Sequence, residues 1–82
     1  MFFIYIIYSK SSDQFYVGQT QNLADRLFRH RNSGSKSTKK ASDWELKYTE
    51  QFENRTQAIF REAEIKKKKS RKYIEWLISS AL

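Results

Sequence analysis

The sequence predicts an α+β layered domain, a three-stranded antiparallel sheet flanked by helices in the order ββαβαα. Three observations lead there. Phe2 to Tyr8 is an unbroken run of β-branched and aromatic residues, apolar at both parities, as expected of a central strand covered on both faces. The polar stretch Ser9 to Asp13 that follows is too short to lead into anything but an antiparallel partner. Beyond it, apolar residues at helical spacing stand behind capping residues, once before and twice after a third alternating segment.

Each element has its own warrant. The second strand spans Phe15 to Gln19, and a turn centred near Ser11 and Ser12 puts Tyr5, Ile7, Tyr16 and Gly18 on one face. Gly18 then lies opposite Tyr5 and leaves room there for something other than a side chain. Asn22, with Asp25 three residues on, starts a helix from Leu23 to about Ser33, with Leu23 and Leu27 inward and Gly34 as its C-terminal cap. Ser33 to Ser42 reads as an exposed loop suited to gripping phosphate. Trp44, Leu46 and Tyr48 alternate with Glu45 and Lys47, and the pattern continues to Phe52 as a third strand. Asn54 or Thr56 caps a helix from Thr56 to about Lys69, with Ala58, Ile59, Ala63 and Ile65 inward. After a break at Ser70, a last helix carries Tyr73, Ile74, Leu77 and Ile78. With 82 residues and no linker, repeat or proline, a single domain over residues 1–82 is expected.

Composition narrows the function. Hydrophobic residues are 39 % and charged residues 30 %, near the border of disorder, but 13 aromatics supply the buried area a fold needs. Without cysteine there is no disulfide scaffold or thiolate metal site, and one histidine makes a histidine-built zinc site implausible. A hard cation held by carboxylate and water stays open. The formal charge of +7 favours a polyanionic partner, nucleic acid before membrane. Phe2 to Tyr8 is too short to cross a bilayer and has no basic residues before it, so no membrane association and a cytoplasmic location are expected.

Several side chains are placed for chemistry. Glu62 falls near the centre of the inward side of the second helix, where an ionised carboxylate needs a cation, either a basic side chain or a metal. Arg26 and His30, four residues apart, project together from one edge of the first helix and could meet one phosphate. Tyr5 and Tyr16 share a sheet face. Two acid-free basic runs make a nucleic-acid footprint: Arg26, Arg29, Arg31, Lys36, Lys39 and Lys40, then Lys66 to Lys69 with Arg71 and Lys72.

Phe3-Ile4-Tyr5, ten residues, Tyr16-Val17-Gly18, Asp25-Arg26-Leu27, His30, and Glu62 on a later helix together resemble the GIY-YIG nuclease family. The resemblance covers nearly the whole chain and is closest to the small stand-alone bacterial type, with Trp44 to Tyr48 and Arg61 to Lys66 in support. It extends to the N-terminal catalytic domain of excision-repair incision nucleases and to intron homing endonucleases. Phe3 replaces the first motif glycine, Val17 replaces isoleucine, and Gln19 stands where the repair nucleases carry lysine.

The resemblance implies phosphodiester hydrolysis with one divalent metal, Mg2+ or Mn2+. It assigns Tyr5 and Tyr16 to the motif tyrosines, Arg26 to the catalytic arginine, His30 to the position one turn later, and Glu62 to the metal-binding glutamate. Either tyrosine would serve as base, activated by positive charge from Arg26 or the metal. Arg29, Arg31, Lys36, Lys39, Lys40, Lys66 and Lys67 are the expected nucleic-acid contacts. DNA is favoured over RNA, in repair or recombination, for a monomer that lacks a specificity domain, so that its selectivity is weak or structure-dependent or comes from a separate protein. The competing reading is a nucleic-acid-binding module of the same fold that cleaves poorly or not at all. Glu62 separates the two, since a bare carboxylate in a phosphate site repels the ligand unless a cation intervenes.

Overall fold

The computed structural model describes residues 1–32 and 41–81. Gly34, expected to cap the first helix, and the expected contacts Lys36, Lys39 and Lys40 lie outside these described residues. The chain runs β1 (Phe2–Ser9), β2 (Gln14–Thr20), α1 (Leu23–Asn32), β3 (Trp44–Phe52), α2 (Arg55–Lys68) and α3 (Arg71–Ser80). The strands form one antiparallel sheet in the order β2-β1-β3. This is the ββαβαα α+β fold the sequence predicts.

β1 is central and apolar at both parities because each parity serves a different layer. Ile4 and Ile6 pack with Val17, Ala58, Ile65 and Leu77 beneath α2 and α3. Tyr5 and Ile7 pack with Trp44 on the opposite face, where Leu23 and Leu27 of α1 cover them. Each fully buried isoleucine contributes roughly 1.5–3 kcal/mol by leaving water. The β1–β2 register pairs Tyr5 with Gly18 and Ser9 with Gln14, which centres the turn on Ser11 and Ser12 as expected. Asp43 fastens that turn to the start of β3, accepting from Ser9 Oγ at 2.6 Å and from the Ser11 amide at 2.9 Å.

The helix starts follow their capping residues. Asn22 Oδ1 accepts from the Asp25 amide at 3.0 Å, Asn54 Oδ1 from the Gln57 amide at 2.9 Å, and Ser70 Oγ from the Tyr73 amide at 3.2 Å. Such caps are worth about 1 kcal/mol each. Asn54, not Thr56, therefore starts α2. Lys69 ends it in the left-handed conformation, φ 47°, with its amide donating to the Lys66 carbonyl.

Two sequence expectations need correction. The alternation of Trp44, Leu46 and Tyr48 does not put all three on one face: Ile6 pairs with Tyr48 but Ile7 with Leu46, so Lys47 is an unpaired β-bulge residue. The extra residue inverts parity, sending Trp44 to the α1 side and Tyr48 to the α2 and α3 side. On α2, Ile59 is 47 % exposed and Ala63 is also exposed; Ala58 and Ile65 are the buried apolar residues. Polar contacts fix that orientation. Arg61 donates from Nε and Nη2 to both oxygens of Glu50 on β3, at 2.8 and 2.9 Å, and from Nη1 to Tyr73 of α3 at 3.1 Å. A bidentate pair that is only about one-fifth exposed at both ends holds α2 in one rotation, with Glu62 the next residue along.

Candidate active site

The Tyr5 phenol is buried and lies 2.9 Å from His30 Nε2. Strand β1 supplies one group and the last turn of α1 the other, so docking α1 on the sheet forms the pair. Burial pushes the Tyr5 phenol above its ordinary range, and the neighbouring Tyr16 adds to this. Arg26 opposes both through its charge and hydrogen bonding, while the Glu62 charge pushes the same group further up. The His30 imidazole, 3 % exposed, is held below its ordinary pKa first by burial and then by the Arg26 charge. A neutral imidazole can accept the phenol's proton at Nε2.

Gly18 does not leave empty space opposite Tyr5, as the sequence suggests; the Tyr5 ring itself occupies it. A Cβ on residue 18 would sit 2.5 Å from the phenol oxygen and 2.6 Å from Cζ. Gly18→Ala is therefore expected to cost about 2–3 kcal/mol of stability in urea unfolding and to break the Tyr5–His30 contact, because a buried ring cannot yield that distance without moving its surroundings. Wild-type stability in that variant would show the cradle to be loose.

Tyr16 is half-buried, with its ring 4.8 Å from that of His30 and 6.2 Å from that of Tyr5. Trp44 closes the other side of the imidazole at 6.5 Å between rings. Arg26 Nε is buried with no hydrogen-bond partner among the described residues. Such an orphaned cationic donor is one that a phosphate oxygen satisfies. Glu62 on α2 is half-buried, and its charge reaches the Tyr5 phenol. Tyr5, Tyr16, Arg26 and His30 thus gather on the α1 side of the sheet, and Glu62, on α2 of the opposite layer, reaches Tyr5 through its charge. An open cleft of about 600 Å3 borders this cluster, lined by Tyr16, Phe15, Lys66, Lys69, Arg71 and Ile74.

The other expected contacts are more dispersed. Arg29 pairs with Asp25 at 3.1 Å on the exposed face of α1. Arg31 donates from Nε to the Trp44 carbonyl at 2.8 Å, so part of its donor set tethers α1 to β3. Lys67 lines a shallow groove beside Phe60, while Lys66 bonds Glu62. Sequence reasoning missed Trp44 as a wall of the site, since the bulge that turns it there has no signature in residue type. It also missed Arg61 as the anchor of α2.

Among the described residues, no group of three or more His, Asp or Glu side chains is placed to share a metal. Among the described residues, Glu62 is a hard oxygen donor whose charge reaches the Tyr5 phenol. One carboxylate fits a magnesium-like ion, which keeps several waters and takes substrate oxygens as its remaining ligands.

Fold and gathered side chains are those of a small α+β domain with a candidate active site. The model of the GIY-YIG catalytic domain matches residues 1–74 of the 82, and the chain belongs to the GIY-YIG family, a family of nucleases that generally work with a divalent metal ion. No curated protein and no solved structure matches it. No helix among the described residues is long and apolar enough to cross a membrane.

Proposed function

We propose that the protein is a metal-dependent endonuclease hydrolysing DNA phosphodiester bonds, with Tyr5, Tyr16, Arg26, His30 and Glu62 as its site. The observation that carries this reading is a half-buried carboxylate, Glu62, whose charge reaches the phenol of a buried phenol–imidazole pair. A binding module gains nothing from a carboxylate there.

Attack of water on phosphorus requires somewhere for the proton, stabilisation of the phosphoryl oxygens and support for the leaving oxygen. As the water oxygen bonds to phosphorus and the ester bond breaks, the Tyr5 oxygen takes the water proton and passes its own to His30 Nε2. The raised proton affinity of Tyr5 suits this relay, because the phenol stays protonated at neutral pH until the imidazole receives its proton. Arg26 donates its unused Nε hydrogen to a phosphoryl oxygen. Tyr16 orients the phosphate at the mouth of the cleft. Glu62 would hold Mg2+ or Mn2+, which supplies charge neutralisation at the phosphoryl and leaving oxygens. Arg29, Arg31, Lys36, Lys39, Lys40, Lys66 and Lys67 are proposed to hold the flanking strand. We assign the activity to a monomeric, cytoplasmic single domain, over residues 1–82, in repair or recombination, with selectivity supplied by a separate protein.

The test is nicking of supercoiled DNA and of labelled branched and single-stranded DNA with Mg2+, Mn2+ or chelator. Cutting is expected with either metal and abolished by chelator. It should also fall on acidification, with its midpoint below 6.5. Because the His30 pKa is lowered in the fold, the imidazole is neutral at pH 7 and loses its acceptor role as pH falls through the folded value. Stability follows the same sign. The folded chain binds this proton less readily than the unfolded chain, so the contribution present above 6.5 is lost as pH falls through the lower value. Tyr5→Phe is expected to remove both the cutting and its pH dependence. Binding of every substrate without cutting would leave only the binding-module reading.

A further inference from the structure

Lys66 stands out among the cations at the end of α2. Its Nζ lies 2.8 Å from Glu62 Oε2 and 5.9 Å from the centre of the Tyr16 ring, on the site side of the helix. Two of its neighbours point elsewhere, Lys68 over Tyr73 and Lys67 along the groove beside Phe60, while Lys69 shares the cleft. The pair is also asymmetric. Glu62 is 22 % exposed whereas Lys66 is 52 % exposed, so the carboxylate has given up most of its water while the ammonium keeps access to solvent.

We infer that Lys66 is a tethered counter-ion that neutralises Glu62 until a divalent metal displaces it, and that the freed ammonium then turns to substrate phosphate. This rests on Glu62 being the metal carboxylate. A partly desolvated carboxylate needs a cation close by, and an ammonium one helical turn away supplies it. The two cations cannot share Oε2 at bonding distance, since a 2+ ion repels the ammonium at close range. Release costs little because the lysine head is already half in water. Lys66 also lines the cleft beside Tyr16, so it leaves the carboxylate without leaving the site. Metal entry and phosphate capture are thereby coupled through one side chain. In exchange, the competition makes the intrinsic metal affinity lower than Glu62 alone would give.

The test is Mn2+ binding to the full chain, without nucleic acid, by calorimetry and by the loss of the free-ion EPR signal. Lys66→Met is expected to bind Mn2+ about three- to tenfold more tightly than wild type, matching removal of one partly buried competing pair. Lys68→Met removes the same charge from the same helix end and is expected to leave affinity within about twofold; Glu62→Gln is expected to bind none. Equal or weaker binding by Lys66→Met, with Glu62→Gln still inactive in binding, would overturn the counter-ion while leaving Glu62 as the ligand. An equal gain in Lys68→Met would reduce the effect to net charge and overturn it as well. Wild-type binding by Glu62→Gln, or no binding by any chain, would remove both the counter-ion and the metal role of Glu62.

Discussion

Glu62→Ala is expected to lose metal-dependent nicking by at least about 10^3-fold while holding DNA as well as the wild type does or better. The two halves of this expectation have different causes. On the proposed reading, removing the Glu62 carboxylate, whose charge reaches the Tyr5 phenol, removes the anchor for the ion and with it charge neutralisation in the transition state. Removing a negative charge from a surface that meets phosphate lowers repulsion and so cannot weaken binding electrostatically. Nor should the fold suffer, since the partner lost is an exposed lysine at helical spacing, an interaction worth less than about 1 kcal/mol. Nicking assays paired with fluorescence anisotropy on the same DNA measure both. Unchanged nicking would take Glu62 out of the mechanism.

Arg26→Ala should slow nicking by about 10^2- to 10^3-fold, the usual loss when one donor to a developing phosphoryl or oxyanion charge is deleted. Lysine at the same position is expected to restore little, because a point ammonium does not reproduce a planar guanidinium fork. Stability should stay within about 1 kcal/mol, as the substitution gives up one hydrogen bond toward Tyr5 but also relieves a buried Nε that has no partner among the described residues. A further sign distinguishes this variant from a merely misfolded one. The Arg26 charge helps hold the His30 pKa down, so its loss should move the His30 titration upward in an NMR pH series. A fixed His30 titration would place Arg26 further from the pair than the reading requires.

Much of this site was legible in the chain because its parts are set by local rules. The short turn dictated that Tyr5 face Gly18, and the four-residue spacing dictated that Arg26 and His30 leave α1 together. Capping residues marked where helices begin. What escaped depends on contacts between distant elements. Ile59 looks like a core residue by period alone, yet α2 is held in another rotation by Arg61 reaching Glu50, eleven residues back on β3. Glu62 could be expected to need a cation, but residue types alone did not say that Lys66 would provide it. Gly18 was read as room for a ligand, and only the packed structure puts the Tyr5 ring there.

The bulge at Lys47 makes β3 a text read in two frames. Before it, Trp44 is spelled toward the histidine and the layer of the candidate site; after it, Tyr48 and Phe52 are spelled toward the layer that holds the domain together. One nine-residue strand thus walls the candidate site with its first half and serves cohesion with its second. The sheet can accept change at Leu46 and at Tyr48 for unrelated reasons, although parity would have grouped the two, so drift in one vocabulary need not corrupt the other.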